Sequence, residues 1–409
     1  MIRRVALALL ASGCGWLGAP GGDDAGRVWL ATRPGPYVQG AVEERLLDRY
    51  RNAHPGLLVS ARSEIAGPRA GTPSDAFLVE GADMPSLLAA DRLLDLAPYL
   101  ARVAVDPAQL DPTVLSVFRT GSAVYALPRG YSPVLLAFNK DLFDHAGLAY
   151  PGDDWTWDDF LLAAHRLTHA ADGDRRADQW AIYLDRDVAS WLPWVWSGGG
   201  DVLCPGGHRA ATCLDAPASI AAIRWYTGWV TGERIAPTSG PGMGMGLFLS
   251  GRVAMLTTMH ATVPLLRSRG LRVGFVALPH RAGVLPVTAL YASAYAVPRS
   301  TTRLRLSVEL AATLTDSLAG ARRGDAGLEL PALSGAARAL AASDTAGWEA
   351  AFLRAAAHGR VPWSATVTRW PELAEILPDV LDRVLGGADA DSATRDVARR
   401  IDRLLGAAP

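Results

Sequence analysis

Apolar positions along the chain switch repeatedly between the two-residue period of strands and the 3.6-residue period of helices. A short β-type run, Val28-Trp-Leu-Ala-Thr32, comes first and is followed by a Pro/Gly loop. Over 38–52, Val42, Leu46, Leu47 and Tyr50 return at helical spacing, which predicts an amphipathic helix. Strand-like runs at 57–61 and 75–79 follow, then an Ala/Leu-rich helix from Pro85. A strand pair is predicted from Val124, helices over 140–146 and 158–168, and a strand over 179–184. Strands return at 273–277 and 294–297; from Ser307 the chain is mainly helical, broken by Pro331, Pro362, Pro371 and Pro378. Such alternation implies an α/β fold with a mostly parallel sheet, helices on both faces and ligands at the carboxyl ends of the strands.

Length and composition refine this picture. At 409 residues the chain exceeds the size at which one core stops growing, so two lobes are expected. Half the residues are apolar and a fifth charged, which excludes wholesale disorder. The net charge is -1 with no long block of like charges, so nucleic acid is not an expected partner and a neutral ligand fits better. Tryptophan is the outlier: of 13 in all, Trp155, Trp157, Trp180, Trp191, Trp194, Trp196, Trp225 and Trp229 fall within 155–229.

The N-terminus reads as an export signal. Arg3 and Arg4 precede an apolar run over 5–11 that is far shorter than the roughly 20 residues of a permanent span. The small residues Ala11-Ser12-Gly13 before Cys14 resemble a lipobox, in which the cysteine is acylated after residues 1–13 are removed. Ala11 stands where that pattern prefers Leu; the alternative is an ordinary secretory signal with an incidental cysteine. Residues 14–26, rich in Gly, Ala and Asp, would then form a flexible tether. Cys204 and Cys213 flank a turn-rich loop, and an exported chain meets an oxidising compartment, so a disulfide is expected. With His208 between them a metal is conceivable, but the set lacks zinc-motif spacing.

Six stretches carry a resemblance. They are Asp48-Arg-Tyr-Arg-Asn-Ala-His-Pro-Gly56; Val124-Tyr-Ala-Leu-Pro128 with Val134-Leu-Leu-Ala-Phe-Asn-Lys-Asp-Leu-Phe-Asp-His-Ala-Gly147; Asp154-Trp-Thr-Trp-Asp-Asp-Phe160; Trp196-Ser-Gly-Gly-Gly-Asp201; Phe248-Leu-Ser-Gly-Arg-Val-Ala-Met255; and Gly359-Arg-Val-Pro-Trp363. In this order they resemble family 1 extracellular solute-binding proteins, the sugar-binding lipoproteins of ABC importers. The resemblance implies a two-lobe periplasmic-binding-protein-like fold of class II type, with an interlobe ligand cleft and multiple chain crossings. It places one lobe at 27–132 plus 259–313 and the other at 133–258 plus 314–409. It further implies a monomer that delivers a sugar or oligosaccharide to the membrane subunits of an ABC permease and needs no cofactor.

A sugar offers flat C–H faces and a rim of hydroxyls, so its pocket needs aromatic platforms and directed polar groups. Trp194 and Trp196, in an expected strand or loop before Gly198 and Gly199, would provide platforms beside backbone that a ligand can approach closely. Tyr131 lies beside the first proposed crossing and Trp363 follows Arg360 in the last motif. Each aromatic has a core alternative, which is preferred for Trp157, Trp225 and Trp229. Polar candidates are Asp83, Arg129, His260 and Tyr291, with Arg33 and Tyr37 in the first strand-to-helix loop. Asp83 has a second reading as a cap of the helix near Pro85.

Catalytic signatures are weak. The chain contains no Gly-x-Ser-x-Gly elbow and no phosphate-binding Gly-x-x-x-x-Gly-Lys. His165 and His169 are four apart on a helix but lack the Glu of His-Glu-x-x-His, so a solvated face is preferred and no metal is expected. The glycines of 240–246 suggest a mobile loop. The rival reading is an exported carbohydrate-active enzyme with carboxylates such as Asp83 or Glu80 opposed across the cleft; within the binding class the alternative ligand is a polyol, a glycerol phosphodiester or a peptide.

Overall fold

The computed structural model describes residues 27–33, 37–63, 74–169, 178–238, 240 and 242–406. The export signal at 1–13, Cys14, the tether at 14–26 and the side chain of Tyr37 lie outside the described residues. The strands are Arg27–Thr32 (β1), Leu58–Ser63 (β2), Ala76–Glu80 (β3), Arg119–Thr120 (β4), Ala123–Val124 (β5), Ala126–Pro133 (β6) and Leu135–Asn139 (β7). Beyond them come Trp180–Ile182 (β8), Val253–Thr258 (β9), Val273–Val276 (β10), Thr288–Ala296 (β11), Leu330–Pro331 (β12) and Gly359–Arg360 (β13).

Two sheets define two lobes. The first runs β12-β6-β11-β3-β1-β2, with β13 added to β11; the second runs β10-β7-β9-β8. β1 pairs in parallel with β2 and β3, as the strand–helix alternation predicts. Both sheets are nevertheless mixed, because β11 runs antiparallel to β3 and β6 and β7 runs antiparallel to β9 and β10. The reason is topological: β7 follows β6 directly, and β11 arrives from β10 in the other sheet instead of through a helical crossover.

The chain passes between sheets at Val134, again between β10 and β11, and finally after β13. Two strands pair across the division suggested by the family resemblance. β10, expected in the first lobe, hydrogen-bonds to β7 in the second sheet, and β12, expected in the second lobe, lies against β6 in the first. The last helices, Pro378–Leu385 and Ala390–Leu405, pack on Pro217–Thr231 and so complete the second lobe.

Helix boundaries follow capping chemistry. Asn139 caps Lys140–His145 by accepting the Asp141 N–H at 3.0 Å, and Thr156 with Asp159 forms a reciprocal box at Trp157–Leu167. Trp194 and Trp196 lie on a helix, Val188–Ser197, not on a strand or loop. Aspartate 187 caps it through the Ala189 N–H at 2.8 Å, and the run that follows is apolar all round because both faces are covered. Most of the tryptophan surplus is spent here. Trp157, Trp191, Trp194 and Trp229 are buried together with Phe160, and Trp157 stacks on Trp225 with centroids 4.0 Å apart. No helix among the described residues is long and apolar enough to cross a membrane.

Candidate functional site

Two cavities meet where the chain crosses between the sheets. One, of ≈240 Å³, is walled by the first lobe: Arg33, Glu80, Arg129, Tyr131, Tyr291 and Glu329. The other, of ≈250 Å³, is walled by the second lobe with Val134, Asp185, Ser190, Thr257 and Thr258. Met259 and Ala261 line both, so the two form one cleft with a wall on each lobe. The strands explain the placement. Glu80 ends β3, Tyr131 and Ser132 end β6 just before the crossing, and Tyr291 faces them from β11, with Tyr291 opposite Ser132 in register. A larger cavity of ≈350 Å³, on the first lobe between His54, Arg102, Glu309 and Asp316, is lined by no Trp, Tyr or Phe and by no residue of the second sheet.

Beneath the first-lobe wall lies a buried charge network. The β6–β11 register shifts between Ser293 and Ala294, which pair with Gly130 and Pro128 and leave Arg129 as an extra residue. This bulge aims the Arg129 guanidinium at Glu43 (3.1 Å), Glu329 (3.0 Å) and Ser293 Oγ (2.9 Å). Arg323, fully buried, grips the other side of Glu43 at 2.8 and 2.9 Å, and the Tyr295 hydroxyl donates to Glu43 at 2.6 Å. Burial pushes the Glu43 carboxyl up, but the Arg323 and Arg129 guanidiniums outweigh it and hold the group at about 2. Glu80 shows the opposite balance. Burial pushes it up to about 7, Arg129 and Arg33 oppose the shift, and Glu329 and Asp83 reinforce it.

Asp83 does not cap the helix Met84–Ala89 with its side chain. Its carboxylate instead pairs with Arg33 at 2.6 Å and accepts the Glu80 N–H at 2.7 Å, so it orders the rim of the first-lobe wall.

A second polar cluster joins the C-terminal segment to the second lobe. Asp201 accepts the indole N–H groups of Trp196 (2.9 Å) and Trp363 (2.7 Å) and pairs with Arg360. The Arg360 guanidinium lies over the Trp196 ring, 4.2 Å from its centroid, and over the Trp363 ring at 5.4 Å. Trp363–Ala365 touches Gly81–Asp83 of the first lobe, which places this cluster at the contact between lobes.

The family model for bacterial extracellular solute-binding proteins matches residues 64–315. The chain belongs to that family. Among solved structures, this solute-binding protein is similar to an ABC substrate-binding protein of Listeria monocytogenes in complex with cycloalternan. That likeness has 20% identity, 93% of this chain and 99% of that one covered, and a TM-score of 0.81. It is similar as well to UgpB from Mycobacterium tuberculosis in complex with glycerophosphocholine, with 20% identity, 93% and 98% covered, and a TM-score of 0.78. A Thermus thermophilus maltotriose-binding protein bound with maltotriose gives 15% identity, 93% and 100% covered, and a TM-score of 0.74. At these identities the likeness establishes the two-lobe binding-protein fold. Family membership makes the chain a solute-binding protein that works outside the cytoplasm.

Of the residues singled out in its sequence, the solute-binding protein brings Arg33, Arg129, Tyr131 and Tyr291 into the cleft wall, with Asp83 directly behind Arg33. Trp196, Arg360 and Trp363 form the Asp201 cluster instead. Trp194 is withdrawn into the second-lobe core, where its N–H is used by Thr257 Oγ1 at 2.9 Å. Gly198 admits the Trp157 indole, 2.5 Å from where a Cβ would sit, rather than a ligand; Gly199 lies against Val284. His260 is wholly buried, with one ring nitrogen on the Gly327 carbonyl and the other on Glu349. Cys204 and Cys213 are disulfide-bonded. Within the glycine-rich stretch 240–246, Gly244 opens a helix, Gly244–Leu249, and packs under Tyr183.

Glu329, Glu43, Asp185 and Asp201 were not singled out as site residues. Glu329 had a visible signal, since an acid inside the apolar run Leu328-Glu-Leu-Pro331 announces a buried, partnered charge. Asp185 had none, because its place in the cleft wall depends on elements distant in sequence.

Proposed function

We propose that this protein receives a sugar or oligosaccharide in the interlobe cleft and delivers it to the membrane subunits of an ABC permease. The carrying observation is the composition of the two walls. The Tyr131 and Tyr291 rings supply apolar faces, and Arg33, Glu80, Ser132, Ser293 and Glu329 face Asp185, Ser190, Thr257 and Thr258 across the gap. That combination suits C–H faces ringed by hydroxyls. Contacts from both lobes are made together only when the lobes approach, so a ligand that spans the cleft favours the closed form. The ligand set we assign is Arg33, Glu80, Arg129, Tyr131, Tyr291 and Glu329, with Asp83 positioning Arg33. Trp363 and Trp196 brace the contact between lobes. The lipobox-like Cys14 supports attachment of the mature protein to the cell membrane as a lipid-anchored monomer.

A phosphodiester ligand is less well served, because both arginines of the wall are already paired with carboxylates: Arg33 with Asp83, and Arg129 with Glu43 and Glu329. Binding without turnover is the activity we assign. Titration calorimetry of the mature protein against mono-, di- and trisaccharides should give saturable heat, and the bound sugar should be recovered unchanged by mass spectrometry. Absence of heat across the panel refutes the sugar reading, and hydrolysed product refutes the non-enzymatic one.

A further inference from the structure

The cleft carries more acid than base, and its acids stand on both lobes. Glu80 and Glu329 line the first-lobe wall and Asp185 the second. Asp187 lies near enough to Tyr291, across the gap, to help burial raise its pKa. The cations of the walls, Arg33 and Arg129, are consumed by Asp83, Glu43 and Glu329. Among the described residues neither Glu80 nor Asp185 has an ion-pair partner within 4.0 Å; Asp185 accepts only from Ser190 Oγ and the Asp187 N–H, both at 3.1 Å.

Two further atoms have unused capacity. Glu329 Oε1 is buried and, although 3.0 Å from Arg129 Nε, has no hydrogen bond; Arg33 Nε is a buried donor without an acceptor. Lobe closure around a neutral ligand would keep Glu80 protonated and leave the Asp185 carboxylate without a counter-charge while expelling the water that screens it. A ligand with a positive charge supplies that counter-charge, and the faces of Tyr131 and Tyr291 favour a cation too. Its hydroxyls would meet the Arg33 donor and the second-lobe threonines.

We propose that the preferred ligand is an amino sugar, whose protonated amine is received between Glu80 of the first lobe and Asp185 of the second. The proposal rests on the sugar reading above. Glu80, raised to about 7 in the free protein, faces Arg129, Glu329, Arg33 and Asp83. An ammonium beside it favours the ionised carboxylate, so binding near pH 6.5 releases a proton from Glu80.

The test is calorimetry of the mature protein at low ionic strength and pH 6.5 with sugar pairs that differ in the amine: glucosamine and glucose, galactosamine and galactose, mannosamine and mannose. The amine member should bind at least tenfold more tightly, with proton release visible as a heat that depends on the buffer's ionisation enthalpy. Glu80→Gln should abolish the proton release and cut the amine preference about tenfold, and Asp185→Asn should cut the preference independently. A single cooperative melting transition, no lower than that of the unsubstituted protein, separates these effects from misfolding in each variant. Neutral members that bind as tightly as their amines, or a preference that survives both substitutions, overturn the proposal and leave the sugar reading standing. No heat from any sugar overturns both.

Discussion

The two kinds of aromatic residue in this molecule make opposite predictions. Trp194 is enclosed by Trp225, Tyr226, Trp229 and Phe160, so Trp194→Ala should cost about 3–5 kcal/mol of stability in urea unfolding. Tyr291 is only partly buried, at a cavity wall, so Tyr291→Ala should lower the urea midpoint less than Trp194→Ala does while weakening sugar binding by about 1–2 kcal/mol, read by calorimetry. The carboxyls predict a pH profile for stability. Glu43 is held at about 2, below its ordinary 4.5, so its contribution is complete above pH 4.5 and lost as pH falls toward 2. Glu80 is raised from 4.5 to about 7, so its contribution is complete below pH 4.5 and lost as pH rises through 7. Urea midpoints measured from pH 3 to 8 should therefore fall at both ends, and Glu80→Gln should remove only the decline toward neutral pH. Sequence periodicity placed Val42, Leu46, Leu47 and Tyr50 on one buried face because a local repeat suffices for that. It could not separate Trp194 from Tyr291, since burial of an aromatic depends on which distant element covers it.

At the scale of elements, the decisive features are those that depart from simple alternation. The bulge at Arg129 turns a β6 residue away from the ladder and into the charge network under the cleft, a displacement of one residue that alternation does not announce. The predicted helices at 38–52, 140–146 and 158–168 match Tyr37–Ala53, Lys140–His145 and Trp157–Leu167 closely, because caps and periodicity are local. The mixed pairing of β7 and β11 was not legible, because strand direction is set by crossings between lobes. The disulfide loop acts on the Asp201 cluster from outside. Gly207, with φ +74°, lets the loop sit where a Cβ would be 2.8 Å from Val367 and 3.4 Å from the Trp363 ring. Closing nine residues of sequence separation with the Cys204–Cys213 bond removes about 2–3 kcal/mol of chain entropy from the unfolded state. Replacing both cysteines with serine should lower stability by that amount in urea, and indole fluorescence should show Trp363 less rigidly held.

For the whole molecule, the question is what a ligand gains by closing the lobes. The first-lobe wall is preorganised: Glu43, Arg129, Arg323, Tyr295, Ser293 and Glu329 are mutually bonded and buried, so they cost no rearrangement on binding. The second-lobe wall contributes Asp185, Ser190, Thr257 and Thr258 from separate elements of one lobe, which move together. Closure is then a rigid approach of two prepared surfaces about the crossings at Val134 and at 277–287, with Trp363–Ala365 against Gly81–Asp83 as a third point of contact. A ligand confined to one wall would bind without shifting that equilibrium, because it would not distinguish open from closed. Sugar that spans both walls should therefore do two things together. At a hundredfold excess over Kd it should stabilise the fold by about 2.7 kcal/mol, seen as a rise in Tm, and it should reduce the radius of gyration in small-angle X-ray scattering. Asp201→Ala should uncouple the two. Trp196 and Trp363 would lose their shared acceptor and the Arg360 pair with it, so the third contact would loosen and the scattering change on ligand addition would shrink more than the first-wall contacts weaken. An undiminished compaction in that variant would show that the crossings at Val134 and 277–287 alone guide the closure.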